Sequence, residues 1–185
     1  MLRVYLAGPD VFLPNAREIG ARKKAICEAH GLEGRFPLDA ELELTLVPPA
    51  EAGFRIYRAN RALMESCDLA IANMTPFRGP SMDVGTAFEM GFMRGLGRPV
   101  LGYTNVAGSL LERTRLFFAD HADGMSIEDF DMVDNLMLDG AVIESGFAIV
   151  RNAVRAEERH TNLDGFTTCV RRAAEQLNGS SSARA

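Results

Sequence analysis

The stretch LAIANMTPFRGPSMDVGTAFEMGFMRGLGRPVLGY, residues 69–103, carries the rhythm that decides the fold. Leu69-Ala70-Ile71-Ala72 is a short unbroken apolar run, the pattern of a strand buried on both faces. Met74 to Met82, with Pro76, Gly79 and Pro80, reads as a loop, and Asp83 to Leu96 as a helix stopped by Gly97 and Pro99. Val100-Leu101-Gly102-Tyr103 supplies the next strand. Strand, helix and strand in this order make a crossover unit, so the expected fold is α/β, a doubly wound and mostly parallel sheet with helices on both faces. Ligands of such sheets bind at the C-terminal ends of the strands, which directs attention to loops such as Met74–Met82.

Upstream, Arg3 to Ala7 is another apolar run, ended by Gly8-Pro9. Asn15 to His30 carries Ala16, Ile19, Ala25, Ile26 and Ala29 at roughly helical intervals, with Asn15 as a candidate N-cap and Gly31 as a C-cap. A short strand is expected within Leu32–Leu38. A long loop follows from Asp39 to Gly53, because Pro48-Pro49 cannot donate ladder hydrogen bonds. Phe54 to Ser66 returns to helix. Downstream, Ser109 to Phe118 reads as helix, while Met125 to Leu138 mixes acidic and apolar residues without a clear period. Leu163 to Leu177 is a terminal helix with Phe166, Val170, Ala173 and Leu177 on one stripe. Residues 1–178 are expected to form a single domain, and residues 179–185 a flexible tail.

The 185 residues are 47% hydrophobic, enough for a core without disulfide or metal support. A formal charge of -5 argues against the basic footprint of a nucleic-acid or anionic-membrane binder. Cys27, Cys67 and Cys169 are odd in number and widely spaced, which fits a reducing cytoplasm better than a disulfide framework. The apolar start, Met1 to Leu6, is too brief for a signal-peptide core or a membrane span. His30, His121 and His160 show no ligand spacing, so neither a metal nor a cofactor is expected.

The chemistry concentrates at the entry of the helix Asp83–Leu96. Asp83 stands at the cap position and Glu89 six residues later, with Gly85 removing a side chain from the first turn. Glu89 lies between Phe88 and Met90, an apolar setting in which an ionised carboxylate has to be hydrogen-bonded or functional. The alternative is that Glu89 faces solvent and Asp83 is an ordinary N-cap. A phosphate-cradling loop would need the P-loop lysine or a Gly-x-Gly-x-x-Gly after the first strand, and neither is present. Pro9 removes an amide donor there and Asp10 adds negative charge, which leaves Arg78 as a cation able to neutralise one phosphate.

Three pieces occur in a telling order: Tyr5 followed by Leu6-Ala7-Gly8-Pro9, then Asp83-Val84-Gly85 through Glu89-Met90-Gly91, then Asn135-Leu136-Met137. From about residue 2 to residue 138 the chain resembles the nucleoside 2-deoxyribosyltransferase family. The resemblance implies a flavodoxin-like domain that moves a 2-deoxyribosyl group between nucleobases. It implies Glu89 as the nucleophile, Tyr5 as the residue holding that carboxylate, and Asp83 as the acid contacting sugar hydroxyls. Asn135 and Met137 match residues that family members donate into a neighbouring subunit's site, so a homo-oligomer is expected, with a 2-deoxynucleoside and a free nucleobase as partners. Gly8 and Gly85 would let the backbone approach substrate.

Cleaving an N-glycosidic bond builds oxocarbenium character at the anomeric carbon, which a carboxylate on the opposite face can capture. A second base then displaces the carboxylate, and two inversions give net retention. The absent 2-hydroxyl eases cation formation, so ribonucleosides should react poorly. One position departs from the pattern. Where many relatives carry an aspartate thought to protonate the departing base, this chain has Asn60, an amide that can hydrogen-bond a purine edge but not act as a general acid. Asp68, just before the strand, reads as a turn acid. Phe12 and Phe77 lie in loops where a purine could be sandwiched, or they pack their loops onto the core. Together with Asn60 these rings lean the base preference towards purines.

Two rivals stay open. One is a nucleotide N-glycosidase acting on 2-deoxynucleoside 5-monophosphates. Asp83 weighs against it, because two like charges about 4 Å apart repel by roughly 4 kcal/mol at an effective dielectric of 20. The other is a binding module that holds a nucleotide without turning it over, which Glu89 distinguishes from an enzyme.

Overall fold

The computed structural model describes residues 1–40, 42–118 and 125–182, with side chains up to Leu177 in the final helix. The elements in chain order are β1 (Leu2–Ala7), α1 (Ala16–Ala29), β2 (Leu32–Arg35), α2 (Pro49–Ser66), β3 (Leu69–Asn73), α3 (Val84–Gly95) and β4 (Val100–Thr104). They continue with α4 (Leu110–Phe118), α5 (Leu136–Glu144), β5 (Val150–Arg151) and α6 (Asp164–Ser182). The described strands form one wholly parallel sheet in the order β2-β1-β3-β4-β5. The expected doubly wound fold is therefore the one observed.

The continuous apolar runs become the central strands because both sheet faces are covered: every residue of β3 and β4 is buried. Helices α1 and α6 pack together on one face, and α2, α3 and α5 pack in sequence on the other. Strand alternation assigns the side chains to these layers. Tyr5 in β1 is aligned with Ala70, and Ala70 with Val100. Tyr5 thus faces α3, whereas Tyr103, three residues beyond Val100, turns to the other side and meets Phe166 of α6. Chain order reverses between β1 and β3, the topological switch point at which doubly wound sheets open a crevice at the strands' C-terminal ends. Among the described residues no helix is long and apolar enough to cross a membrane.

Several boundaries differ from the sequence-based expectation. The long loop does not reach Gly53, since α2 begins at Pro49. Proline in a first helical turn loses no hydrogen bond, so Pro48-Pro49 starts a helix here rather than prolonging a loop. β2 stops at Arg35, and Pro37–Asp39 forms a 3-10 turn in which Phe36 N donates to Asp39 Oδ2 at 2.9 Å. Asn15 occupies the N-cap of α1 without capping it, its amide donating instead to Glu18 at 3.4 Å. Gly31 ends α1 as expected, in the left-handed region at φ +73°. α5 and β5 were not expected, and α6 continues past Leu177 to Ser182, into the stretch read as a tail. His121 lies outside the described residues.

Candidate active site

The crevice is a cavity of about 320 Å³ whose walls come from the ends of β1 and β2 and from α2 and α3. Gly8, Val11 and Phe12 follow β1, Pro37 and Leu38 follow β2, Ile56 and Asn60 lie on α2, and Asp83, Gly85, Thr86 and Glu89 form the α3 side.

The Tyr5 hydroxyl, rising from the buried centre of β1, donates to Glu89 Oε1 at 2.5 Å. Burial and the neighbouring carboxylate push the Tyr5 hydroxyl far above its ordinary pKa, so at any physiological pH it remains a donor. Glu89 is partly buried, and desolvation pushes its carboxyl up from 4.5 to about 7. The Tyr5 hydrogen bond pulls the other way, and the nearby Asp83 charge adds to the rise. The result is a carboxyl poised near neutrality and oriented by a fixed donor.

Asp83 is the N-cap of α3. Its Oδ2 accepts from Thr86 N at 2.9 Å and from Thr86 Oγ1 at 3.0 Å, while Oδ1 has no partner among the described residues. A Cβ at Gly85 would lie 3.0 Å from that Oδ2, so the glycine keeps space beside the carboxylate clear. Gly8 is required by close approach: its Cβ would come within 2.8 Å of Asn73 Cβ. The turn is held from below by Asp10, whose Oδ2 accepts from buried Lys23 Nζ at 2.7 Å and whose Oδ1 accepts from Asn73 Nδ2 at 3.3 Å.

The cavity thus gathers Glu89, Asp83, Gly8, Gly85, Asn60 and Phe12, with Tyr5 behind Glu89. Phe77 stays outside. Its ring stacks on Phe12 with centroids 5.2 Å apart and planes 13° from parallel, which leaves no slot for a base between them. Of the two rings Phe12 lines the cavity, and Arg78, 5.1 Å from the Phe12 centroid and 4.6 Å from the Phe77 centroid, completes the cluster. Asn135 and Met137 are also absent from the walls of this chain's cavity. Asn135 caps α5 through Met137 N at 3.0 Å and donates to Glu128 Oε1 at 2.5 Å, and Met137 is 72% exposed. Asp68 is structural: its Oδ2 accepts from Arg3 N at 2.7 Å. The sequence reading missed Val11, Thr86, Ile56, Pro37 and Leu38. The last two could have been found from their position just beyond the C-terminal end of β2, the strand beside β1.

A partly buried carboxyl raised towards neutrality lines a cavity at the switch point of a parallel sheet, the place where α/β folds bind their ligands. The comparisons specify the family. Residues 4–137 match the family model described as Nucleoside 2-deoxyribosyltransferase, and the chain belongs to that family. An uncharacterized protein of Schizosaccharomyces pombe is 30% identical over 197 residues, covering 95% of this chain and 90% of the relative. The solved 2-desoxiribosyltransferase from Leishmania mexicana superposes with a TM-score of 0.69 at 25% identity, covering 95% of this chain and 99% of that one. A conserved protein from Enterococcus faecalis V583 shares the fold, with a TM-score of 0.55, 20% identity, and coverage of 93% of this chain and 98% of that one.

Proposed function

We propose that the protein transfers 2-deoxyribosyl groups between nucleobases, with a purine preference, through a covalent intermediate on Glu89. The observation that carries this reading is the Tyr5–Glu89 hydrogen bond at the wall of a cavity that also presents Asp83. The ionised Glu89 attacks the anomeric carbon of a bound 2-deoxynucleoside. The C–N bond breaks with its electron pair going to the base, which takes up a proton and leaves. A second base then attacks the glycosyl ester through its ring nitrogen, loses a proton, and restores the carboxylate with net retention.

Tyr5 fixes Glu89 for this attack and stabilises the carboxylate when it is released. The free oxygen of Asp83 receives a sugar hydroxyl, while its charge disfavours a 5-phosphate. Asn60 hydrogen-bonds the base edge and Phe12 supplies one stacking face; base–aromatic stacking contributes about 1–3 kcal/mol in nucleic-acid systems. Asn60 offers no titratable proton, so the leaving base is protonated from solvent. In this proposal the working enzyme is a cytoplasmic homo-oligomer in which Asn135 and Met137 reach a neighbouring subunit's cavity. Within its own chain each sits at the exposed start of α5.

The test is incubation with 2-deoxyinosine plus adenine, and with 2-deoxyinosine alone. Formation of 2-deoxyadenosine is expected, together with a mass gain of one deoxyribosyl group on enzyme quenched without acceptor. Glu89→Ala should abolish both while still binding deoxyadenosine. Deoxyribose without exchange would make the protein a hydrolase, and unchanged exchange by Glu89→Ala would defeat the mechanism.

A further inference from the structure

Asp134 is fully buried, and no step above uses it. Its Oδ1 accepts from Ser81 Oγ and, at 2.9 Å, from Asn135 N. Its Oδ2 accepts from Met82 N at 2.9 Å and faces Arg113 Nη2 of α4 at 3.4 Å. Arg113 directs its remaining donors to backbone carbonyls: Nε to Pro80 at 2.7 Å, Nη1 to Gly108 at 2.5 Å, and Nη2 to Val133 at 2.5 Å. Asp139 of α5 secures the other side, accepting from Val133 N at 2.8 Å and Asp134 N at 2.9 Å.

One carboxylate therefore grips two segments far apart in sequence. Ser81 and Met82 are the last residues before Asp83, and Asn135 begins the segment that carries Met137. Desolvating a carboxylate costs several kcal/mol unless it is fully paired. Here the pairing involves a guanidinium, a hydroxyl and two amides, all converging on the helix entry. The loop from Thr75 to Met82 has few ladder contacts of its own beyond Phe77 N donating to Ser81 O at 3.0 Å.

We infer that Asp134, clasped by Arg113, is a positioning residue for the reaction: by holding Ser81 and Met82 it sets where Asp83 meets the sugar, and by holding Asn135 it sets the start of the segment proposed to reach a second site. The inference rests on the role proposed for Asp83. A group misplaced by 1 Å costs about 10²-fold in rate, which is the scale expected if this clasp opens.

The experiment is a double-mutant cycle read by 2-deoxyinosine–adenine exchange, with thermal unfolding followed for every variant. Asp134→Asn is expected to lower kcat/KM by about 10²-fold in the wild-type background. In a background carrying Asp83→Ala and Asn135→Ala together the same change should alter the rate by no more than about twofold, and in Asp83→Ala alone it should cost clearly less than in wild type, since residues acting through one another are non-additive. Ser81→Ala removes one hydroxyl donor, keeps the fold if Asp134→Asn does not, and should reduce exchange with the same dependence on Asp83. Ser81→Thr, which retains the hydroxyl, should restore it. Asp134→Asn or Ser81→Ala multiplying its full effect onto Asp83→Ala, or Ser81→Ala exchanging at the wild-type rate, would overturn the inference. Wild-type exchange by Asp83→Ala alone would remove the role of Asp83 itself, and the inference with it.

Discussion

Glu89→Gln tests the electrostatics of the site without touching substrate. Desolvation, reinforced by Asp83, raises the Glu89 carboxyl from 4.5 to about 7 in the folded protein, against the opposing pull of the Tyr5 hydrogen bond. The native state therefore binds this proton more tightly than the unfolded chain does. The stability this contributes is complete below the unfolded value of about 4.5 and is lost as pH rises through about 7. By pH 8 the loss amounts to about 3 kcal/mol. Glutamine keeps an oxygen to accept from Tyr5 and removes the titration. Between pH 5 and pH 8 the variant should thus gain about 2–3 kcal/mol over wild type in urea unfolding. For a chain of this length that is roughly 5–10 °C in thermal midpoint. Exchange by the wild type should run oppositely, with kcat/KM rising through the same pH range because the nucleophile must be ionised. A stability difference that does not change with pH would refute the account of Glu89 as a desolvated carboxyl.

Asn60→Asp should supply the general acid this site lacks, raising kcat below neutral pH towards the ~10²-fold low end of acid catalysis and adding a basic limb to the pH–rate profile; a slower or unchanged rate would show that base protonation does not limit turnover. Asp10→Ala leaves Lys23, 1% exposed, without its carboxylate and should destabilise the protein by about 3–5 kcal/mol in urea unfolding, a loss that Lys23→Met should largely avoid. Light scattering is expected to report a dimer or larger assembly, and Asn135→Ala should lower exchange without dissociating it. An active monomer would rule out site sharing through Asn135 and Met137.

The sequence carried the central unit of the fold because β3, α3 and β4 obey local rules: unbroken apolar strands, a capping aspartate, and glycine and proline at the helix end. It failed where tertiary context decides. α5, Leu136–Glu144, is apolar on nearly every side, exposed Met137 and Ile143 included, so it has no amphipathic period to detect, and its contacts with α3 and β4 are long-range. β5 is two residues long and exists only as a partner for Tyr103 and Thr104. Pro48-Pro49 reads as a break through its missing donors, and the structure makes it a helix start instead. At the site, Tyr5, Asp83 and Glu89 stand out through their order along the chain, and the structure brings them together. The Phe12–Phe77 stack was not, because two loop aromatics give no sign of whether they hold a ligand or each other.

The two readings of Asp83, structural cap and proposed substrate contact, do not compete. A carboxylate has two oxygens, and α3 uses one. Oδ2 satisfies the amide and hydroxyl of Thr86, an interaction of the kind that contributes about 1 kcal/mol at a helix N-terminus. The cap in turn immobilises the side chain of a residue that lines the cavity, and Oδ1 keeps no partner among the described residues. Burial raises the Glu89 carboxyl towards neutrality against the pull of the Tyr5 hydrogen bond, and the nearby Asp83 adds to the rise. A nucleophile with a pKa near the working pH is a better leaving group from its glycosyl ester than a phenol and a stronger nucleophile than an exposed carboxylate. In the proposed reaction, placing one acid on the helix and the other at its cap links stability, substrate choice and reactivity through Asp83, at the entry where the strongest local structural signal also lies.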